Sequence, residues 1–592
     1  MRQLATRAAF AAIFLALLAI AHGDDESISM DIRMSMDMHE TPNASSSTSL
    51  ISPNIPCDGY FACGKHSSTI MAHIALMVLS WCLVLPPAVM LSIVRSRLAL
   101  PSQFLFLVLN AFGLVLGAIY NTQTPDLYEN NAHHKIGWIA TWVISTQVIL
   151  ALIFLYAGRG MPKSQSTSFE RAAFLPVTTN EHESACPTGA MHGYGWSRDS
   201  GQGTDLGSSI HSLGSPSCIS QDELECFEMP EESPMPSGLR GWFHSSVVDR
   251  FLSKHVPGMA SNRVLRIFNG AYNVIDRIIL PFGCVAILTG AVTYGGIFRD
   301  KDIFNGLAHF IKGGIFFWYG ILTLGRFIGA WADLGWAWNK KPPASVVGWK
   351  ARVPSGEFVE SFVIWLYGIT NVFLEHLSNS GGAWSAADME HVSISVMFFG
   401  GGLVGMLLES QRIRDALNST LFRFPSHDSR DENWQPPRSQ GVPLNPMPAL
   451  IILLLGTMMG SHHQDSMTST MVHKQWGNLL VGFALARGMT YVLLFLRPPS
   501  SYLPSRPPTE IVSGFCLIAG GVVFMLSTRN VIETMEFYKL DAMFTFTVAM
   551  GFTAFVMCLV ILNIVLKAWA VKSEQQPQLN GSFVLESQVT SS

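Results

Sequence analysis

Charge is scarce in this chain of 592 residues, since only 14% of the residues are charged whereas 49% are hydrophobic. A soluble domain needs roughly 25% charged residues to cover its surface, so the deficit excludes an ordinary water-soluble protein. The net charge of −4 and the lack of a long basic run also exclude a nucleic-acid-binding protein. The composition therefore predicts an integral membrane protein in contact with the lipid bilayer.

Three chemical signatures are also missing. None of the nine cysteines has the C-x-x-C spacing of a zinc site or redox pair. No G-x-G-x-x-G follows a strand-like run, so an electron donor or acceptor would have to be another protein or ascorbate. No Ser, His and carboxylate group is placed together by spacing, which leaves the question of an enzyme activity open.

The N-terminus has the pattern of a secretory signal peptide over residues 1–21. Arg2 and Arg7 precede an apolar run that ends at the small residues Ala19 and Ala21, which predicts a mature start at His22. An uncleaved anchor helix is the alternative, but the run is short for a membrane span. We expect the tail 22–68 to be exoplasmic, on a protein of the ER, Golgi, vacuole or plasma membrane.

The predicted exoplasmic tail contains three chemical features. Asn43 begins a glycosylation sequon, and Cys57 and Cys63 could form a disulfide in an oxidising compartment. A Met-rich stretch could bind copper, because thioether and imidazole ligands suit Cu(I), although a free tail needs no ligand role. Its candidate ligands are Met34, Met36, Met38 and His39.

Apolar runs predict an all-α integral membrane fold with about eleven transmembrane helices after the signal peptide. The runs are 70–94, 102–120, 136–157, 274–298, 306–330, 358–377, 389–408, 447–460, 475–496, 510–527 and 543–569. The eighth run is short and could be re-entrant. Lys and Arg favour the loops that this count places in the cytosol, thirteen against six, which predicts a cytosolic C-terminus.

A polar segment divides the predicted helices into two modules. Residues 158–261 are rich in Ser, Gly, Pro and acidic residues, which predicts a disordered cytosolic linker. The linker separates a three-helix module at 69–157 from an eight-helix module at 262–570. A cytosolic tail follows at 571–592.

The histidines near helix ends all fall on the predicted exoplasmic side. Several imidazoles at one depth of a helix bundle could bind a transition metal such as copper or zinc, or haem. Interfacial histidines that reach toward water are the alternative. The candidate metal ligands of the rear module are His309, Glu375, His376, Glu390, His391, His462, His463 and His473.

Short loops predict that these histidines converge. Loop 377–389 makes the sixth and seventh spans antiparallel neighbours, and loop 464–472 does the same for the eighth and ninth. Whether the two hairpins face each other stays open. Arg326 and Arg487, toward the inner half of the fifth and ninth spans, would pair with Asp333 or Glu357, or reach toward water.

The front module contains His73-x-x-x-Met77, Leu85-Pro86 and, after the second span, His134-x-x-Gly137. This pattern resembles the cytochrome b561-like membrane domain. The resemblance implies that His73 and His134 bind one b-type haem. Asn110 lies in the helix that supplies a second haem's histidine in that family, so only one family-type haem is implied.

Across roughly residues 60–570, the chain resembles the fungal Ytp-type multi-pass membrane proteins, through its signal peptide, polar loop and rear His clusters. That family has no established activity. Three functions remain: electron transfer with haem b or a metal at the exoplasmic face, binding or transport of a metal ion such as copper, and a membrane scaffold without chemistry.

Overall fold

The computed structural model describes residues 59–63, 66–128, 130–157, 262–299, 302–375, 384, 386–419, 441–461 and 464–589. Several predictions fall outside these ranges: the signal peptide, the linker, and the features at Met34, Met36, Met38, His39, Asn43 and Cys57. His376, His462 and His463 also lie outside them. Cys63 and Glu375 end described helices, but their side chains are outside the description.

Each of the eleven predicted runs falls on one long helix. The helices are α1 Ser67–Ile93, α2 Ala99–Gln123, α3 Ala132–Ala157, α4 Asn262–Gly295, α5 Asp302–Ile328, α6 Gly356–Glu375, α7 Ala386–Glu409, α8 Met447–Ser461, α9 Met467–Leu496, α10 Thr509–Leu526 and α11 Ala542–Val589. Short helices lie at Tyr60–Cys63, Ala344–Val347, Gln411–Asn418 and Arg529–Phe537. The described residues contain no strand, and the predicted all-α, multi-pass fold is confirmed.

Nine of these helices are long and apolar enough to cross a membrane, counted over the described residues. The other two are α6 and α8. Helix α6 carries two acidic residues, Glu357 and Glu360, within its first two turns. Helix α8 has only 15 residues, which agrees with the short eighth run of the sequence.

Helix α1 changes its winding in the middle. Residues Leu79–Val84 form a π-helical segment, and Pro86 and Pro87 follow after Leu85. A proline within a helix has no N–H to donate to the carbonyl four residues earlier, and a wider turn accommodates this loss. The segment places Trp81 in the core of the front helices, where only 7% of its surface is exposed.

Helix α4 completes a four-helix front bundle with α1, α2 and α3. Its Ile279 is buried in one cluster with Leu85 of α1, Phe106 of α2 and Ile144 of α3. Its Asp276 accepts hydrogen bonds from Ser92 of α1, at 2.8 Å, and from Gln147 of α3. Sequence reasoning grouped α4 with the rear module, because the polar linker precedes it, whereas its packing joins it to the front helices.

The α6–α7 hairpin is held by direct backbone contact. A Cβ atom on Gly368 would lie 2.4 Å from Phe399 N, and one on Gly402 would lie 2.4 Å from Trp365 N. Both positions therefore require glycine for the two helices to approach this closely. The predicted side-by-side arrangement of the sixth and seventh spans is present in the structure.

The two rear hairpins are neighbours. Helix α7 packs on α8, since a Cβ atom on Gly401 would lie 2.3 Å from Ile451 Cδ1. Asn445 Nδ2, just before α8, donates a 2.9 Å hydrogen bond to the carbonyl oxygen of Gly405. The α8–α9 contact is again close, because a Cβ atom on Gly456 would lie 2.7 Å from Gly477 O.

The rear helices define two ends of the bundle. We call the end where α5 and α9 begin the histidine end, since His309 is the eighth residue of α5 and His473 the seventh residue of α9. We call the opposite end, where α5 and α9 finish and α6 and α10 begin, the arginine end, since it contains Arg326 and Arg487. Helix α11 connects the rear helices to the front bundle through Ala570, which packs on Leu91 of α1.

Candidate functional site: two histidine pairs and a buried charge network

The rear histidine pair joins helices α5 and α9. The rings of His309 and His473 lie edge to face, with centroids 6.3 Å apart and planes at 90°. Each Nδ1 donates a 2.8 Å hydrogen bond to the backbone carbonyl four residues earlier, Asn305 O or Ser469 O. Because a carbonyl oxygen only accepts, these bonds place the ring proton on Nδ1. In this tautomer the other ring nitrogen, Nε2, has the lone pair that a metal requires.

An aromatic stack supports this pair on the side of the core. Trp476 and Phe524 stack with centroids 4.2 Å apart. The ring centroids of His473 and Trp476 are 6.0 Å apart, and those of His309 and Phe524 are 5.5 Å apart. The two imidazoles are therefore held in place by packing as well as by hydrogen bonds, and His473 is buried.

The other rear candidates are less close or lie outside the description. His391 lines a cavity of about 910 Å³ that also borders Asn371 and Trp476. Glu390 is exposed at the start of α7. Within the described ranges no three His, Cys, Asp or Glu residues are grouped closely enough to hold a metal ion. Of the predicted rear ligands, the structure brings His309 and His473 together.

The front histidine pair joins α1 and α3. The rings of His73 and His133 have centroids 6.4 Å apart and planes at 79°. His73 Nδ1 donates a 2.7 Å hydrogen bond to Gly113 O, and His133 Nδ1 is hydrogen-bonded to Thr289 Oγ1 of α4 at 3.2 Å. The ring distance and the steep angle between the planes are similar to those of the rear pair, whereas the hydrogen-bond partners differ.

Two glycines make room for the front imidazoles. A Cβ atom on Gly117 of α2 would lie 2.8 Å from the His73 ring. One on Gly290 of α4 would lie 3.0 Å from the His133 ring. All four helices of the front bundle thus contribute to the surroundings of this pair.

The sequence-based pairing of His73 with His134 differs from this arrangement. His134 is exposed and its ring lies beside Trp138, with centroids 6.4 Å apart. Consecutive residues of an α-helix are about 100° apart around its axis, so His133 and His134 cannot both face α1. The His-x-x-Gly motif singled out His134, and sequence reasoning therefore passed over His133 as the partner of His73.

Asn110 connects the three predicted front helices. Its Oδ1 accepts a 2.9 Å hydrogen bond from Trp81 Nε1 of α1. Its Nδ2 donates to Thr141 Oγ1 of α3 at 3.1 Å. The amide takes part in packing here, in the helix where the cytochrome b561 resemblance would require a second haem ligand.

A buried charge network occupies the arginine end. Arg326 of α5 donates to Glu357 Oε1 at 2.6 Å and to Glu360 Oε1 at 2.5 Å, both on α6. Arg487 of α9 donates to Glu360 Oε2 at 3.2 Å, and its Nε lies 2.8 Å from Glu510 Oε1 of α10. The network therefore ties four helices together through five charged side chains.

The loop after α5 covers this network. Arg326 Nε donates a 2.7 Å hydrogen bond to Trp336 O, and its Cζ lies 4.2 Å from the ring centroid of Trp338. Ser505, in the loop before α10, donates a 2.7 Å hydrogen bond to Trp338 O and so holds the loop after α5 in place. Gly356 leaves the space for the guanidinium, since a Cβ atom there would lie 3.0 Å from Arg326 Cζ.

Sequence reasoning found part of this network. Of the two proposed partners of Arg326, Glu357 is correct, whereas Asp333 pairs with Lys350 at 2.9 Å. Glu360 and Glu510 were missed. A signal for Glu360 was present, because residues three positions apart lie on the same helix face, and Glu360 follows Glu357 by three.

These features define the class of protein: a multi-pass, all-α membrane protein with paired histidines at one end of its rear bundle and buried charges at the other. Residues 282–568 match the family described as Protein YTP1-like, C-terminal, and residues 56–157 match a domain of unknown function, DUF2427. The chain belongs to the Ytp1-like family. The predicted Ytp-type resemblance is confirmed.

The curated relatives include two proteins named as membrane proteins. The chain is 32% identical to the uncharacterized membrane protein C3B8.06 of Schizosaccharomyces pombe, over 85% of this chain and 94% of that protein. It is 35% identical to the uncharacterized membrane protein YCR061W of Saccharomyces cerevisiae, over 60% of this chain and 56% of that protein. It is 23% identical to Protein YTP1 of the same yeast, over 49% and 51%. No solved structure matches the chain significantly.

Proposed function

We propose that this membrane protein binds a transition-metal ion or haem b at the ends of its helices where the paired histidines lie, and uses it in electron transfer or metal handling. The observation that carries the proposal is the repeated pair geometry of His309 with His473 and of His73 with His133. The ring centroids are 6.3 and 6.4 Å apart. Imidazole nitrogens bind zinc at about 2.0–2.1 Å, so two rings this close are within reach of one ion.

The donor chemistry fits such a group. Three of the four imidazoles donate through Nδ1 to a backbone carbonyl, and this outer hydrogen bond is the usual way in which a protein orients a metal-binding histidine. Imidazole suits zinc, copper and iron. A bound haem or copper would supply one-electron redox chemistry, whereas zinc would not.

The two histidine pairs are candidates for different bound groups. The front pair, between α1 and α3, is the better candidate for haem b, because the cytochrome b561 resemblance also places a haem ligand at His73. The rear pair is the better candidate for a metal ion, and His462, His463 and the tail residues Met34, Met36, Met38 and His39 are the further proposed ligands. Copper-ion transport is the alternative that would use the same residues, and a scaffold would use none.

An optical spectrum and an elemental analysis of the purified full-length protein test the proposal. We expect a reduced-minus-oxidised haem band, a near-stoichiometric metal, or both. The variant His73→Ala should lower the haem content, and His473→Ala the metal content, by about tenfold or more. His134→Ala is the matched control, because His134 is exposed.

The outcomes separate the competing functions. Loss of the haem band in His73→Ala alone supports electron transfer, and loss of the metal in His473→Ala alone supports metal handling. A folded wild-type protein with neither group would contradict the proposal and favour the scaffold.

A further inference from the structure

The charge network at the arginine end contains more negative than positive charge. Its two arginines, Arg326 and Arg487, face three glutamates, Glu357, Glu360 and Glu510. None of the five side chains is more than 3% exposed, so water cannot compensate the difference. If all five groups were ionised, the buried network would have a net charge of −1.

The three carboxylates are not equally well paired. Glu360 accepts from both arginines. Glu357 accepts through Oε1 only, and its buried Oε2 has no hydrogen-bond partner. Both oxygens of Glu510 are buried without a hydrogen bond, because the nearby Arg487 Nε is poorly aligned with Oε1. Glu357 and Glu510 are therefore the two carboxylates whose oxygens lack hydrogen bonds.

Further unpaired polar atoms accompany the network. The hydroxyls of Tyr319 on α5, Tyr491 on α9 and Ser513 on α10 are buried without a hydrogen-bond partner. Buried polar groups normally have partners, and a group of unsatisfied ones within a helix bundle indicates a place where a small species binds. Hydroxyl groups can accept from a protonated carboxyl or donate to an ionised one.

Among the residues that the structure describes, the charged groups near the network do not supply the missing positive charge. Glu409 of α7 accepts a 2.7 Å hydrogen bond from Ser355 and adds a further carboxylate near the network. Arg414 follows α7 and donates to the carbonyl oxygen of Glu409, outside the network. Lys350 pairs with Asp333, as described above.

We propose that the charge network binds one proton, carried by the carboxyl groups of Glu357 and Glu510. A single proton makes the network neutral, and it removes the cost of burying an uncompensated carboxylate. Binding and release of this proton change the buried charge by one unit where α5, α6, α9 and α10 meet. Buried carboxyls of this kind act as proton-binding sites in membrane proteins, so the inference assigns a proton-coupled step to this end of the bundle.

Infrared spectroscopy of the full-length protein tests this site. A protonated carboxylic acid has a carbonyl stretch that an ionised carboxylate lacks and that shifts in D₂O. We expect this band in the wild type at neutral pH. We expect it to disappear in both Glu357→Gln and Glu510→Gln, because two carboxylates then balance two guanidiniums.

Asp276→Asn is the control, since Asp276 is a buried carboxyl of the front bundle and outside the network. Removal of the Asp276 carboxyl should leave the carbonyl band that comes from the charge network unchanged. Each variant is first shown to be folded by its elution profile and melting temperature; if one glutamine variant fails to fold, the other decides.

A wild-type protein without the band would overturn the proposal. So would a band of full intensity in a folded glutamine variant, since the proton would then belong to another carboxyl. If sodium or potassium balances the charge instead, the wild type lacks the band and melts at a higher temperature in NaCl or KCl than in choline chloride.

Discussion

Arg487 Nη1 lies 3.2 Å from Glu360 Oε2, and this buried contact joins α9 to α6 at the arginine end. Glu360 also accepts from Arg326 of α5, so one carboxylate links three helices. Ion pairs of this kind need not add much net stability over apolar packing, because both groups lose their hydration. Removal of one partner is costly, however, since the other remains buried and uncompensated.

Replacement of Arg487 by methionine should therefore be strongly destabilising. The variant Arg487→Met leaves Glu360 with one arginine and Glu510 with none, and we expect a loss of about 3–5 kcal/mol in unfolding free energy. Denaturant unfolding in detergent measures this loss. Arg497→Met is the matched control, because Arg497 follows the same helix and is exposed.

A double variant checks that the cause is electrostatic. Adding Glu510→Gln to Arg487→Met removes the carboxylate that lost its partner, so part of the lost stability should return. If the double variant were less stable than the single variant, the loss would come from packing and not from the uncompensated charge.

Close packing of the α6–α7 hairpin gives a second prediction. Gly402→Ala should cost about 1–3 kcal/mol, because its Cβ atom would lie 2.4 Å from Trp365 N and the helices would have to separate. Gly400→Ala is the control from the same helix, since a Cβ atom there meets nothing within 4 Å. Thermal unfolding of the two variants should differ clearly, and equal melting temperatures would contradict the described contact.

The front histidines give a third prediction, which separates two neighbouring residues. If the front bundle binds haem or a metal, His133→Ala should abolish binding there, as His73→Ala does, because these two rings face each other. His134→Ala should leave the optical spectrum unchanged. The reverse result would support the sequence-based pair of His73 and His134 and would mean that α3 rotates on binding.

The sidedness of the bundle is the fourth prediction. We expect glycosylation sites inserted in loop 377–385, between α6 and α7, to be used, and sites inserted in the linker 158–261 to stay unmodified. The bias of Lys and Arg toward the predicted cytosolic loops is the reason. Use of a site in the linker would invert the topology and place the arginine end outside the cytosol.

The positions of the long helices followed from the apolar runs of the sequence. A chain in lipid must satisfy its backbone hydrogen bonds within each segment, so every apolar run of sufficient length becomes a helix. This rule is local, and it located even the short helix α8, Met447–Ser461. The membership of α4 in the front bundle did not follow, because it depends on contacts such as that of Ile279 with Leu85.

The contacts of the candidate histidines could be predicted only in part. Helix ends rich in histidine were visible as a pattern, and His309 and His473 do meet. The choice of His133 over His134 was not visible, because it depends on the rotation of α3 against α1. A motif gives spacing along the chain, whereas the rotation of a helix is decided by all of its neighbours together.

The sequence by itself determined that this protein is a multi-pass helical membrane protein of the Ytp type, and that Arg326 needs a partner. Only the tertiary structure decided that Glu360 is shared by two arginines and that Glu510 joins them from a fourth helix. The physical reason is that helix formation depends on the residues of one segment. The counter-ion of a buried charge, in contrast, comes from a distant segment, and the packing of the helices decides which one.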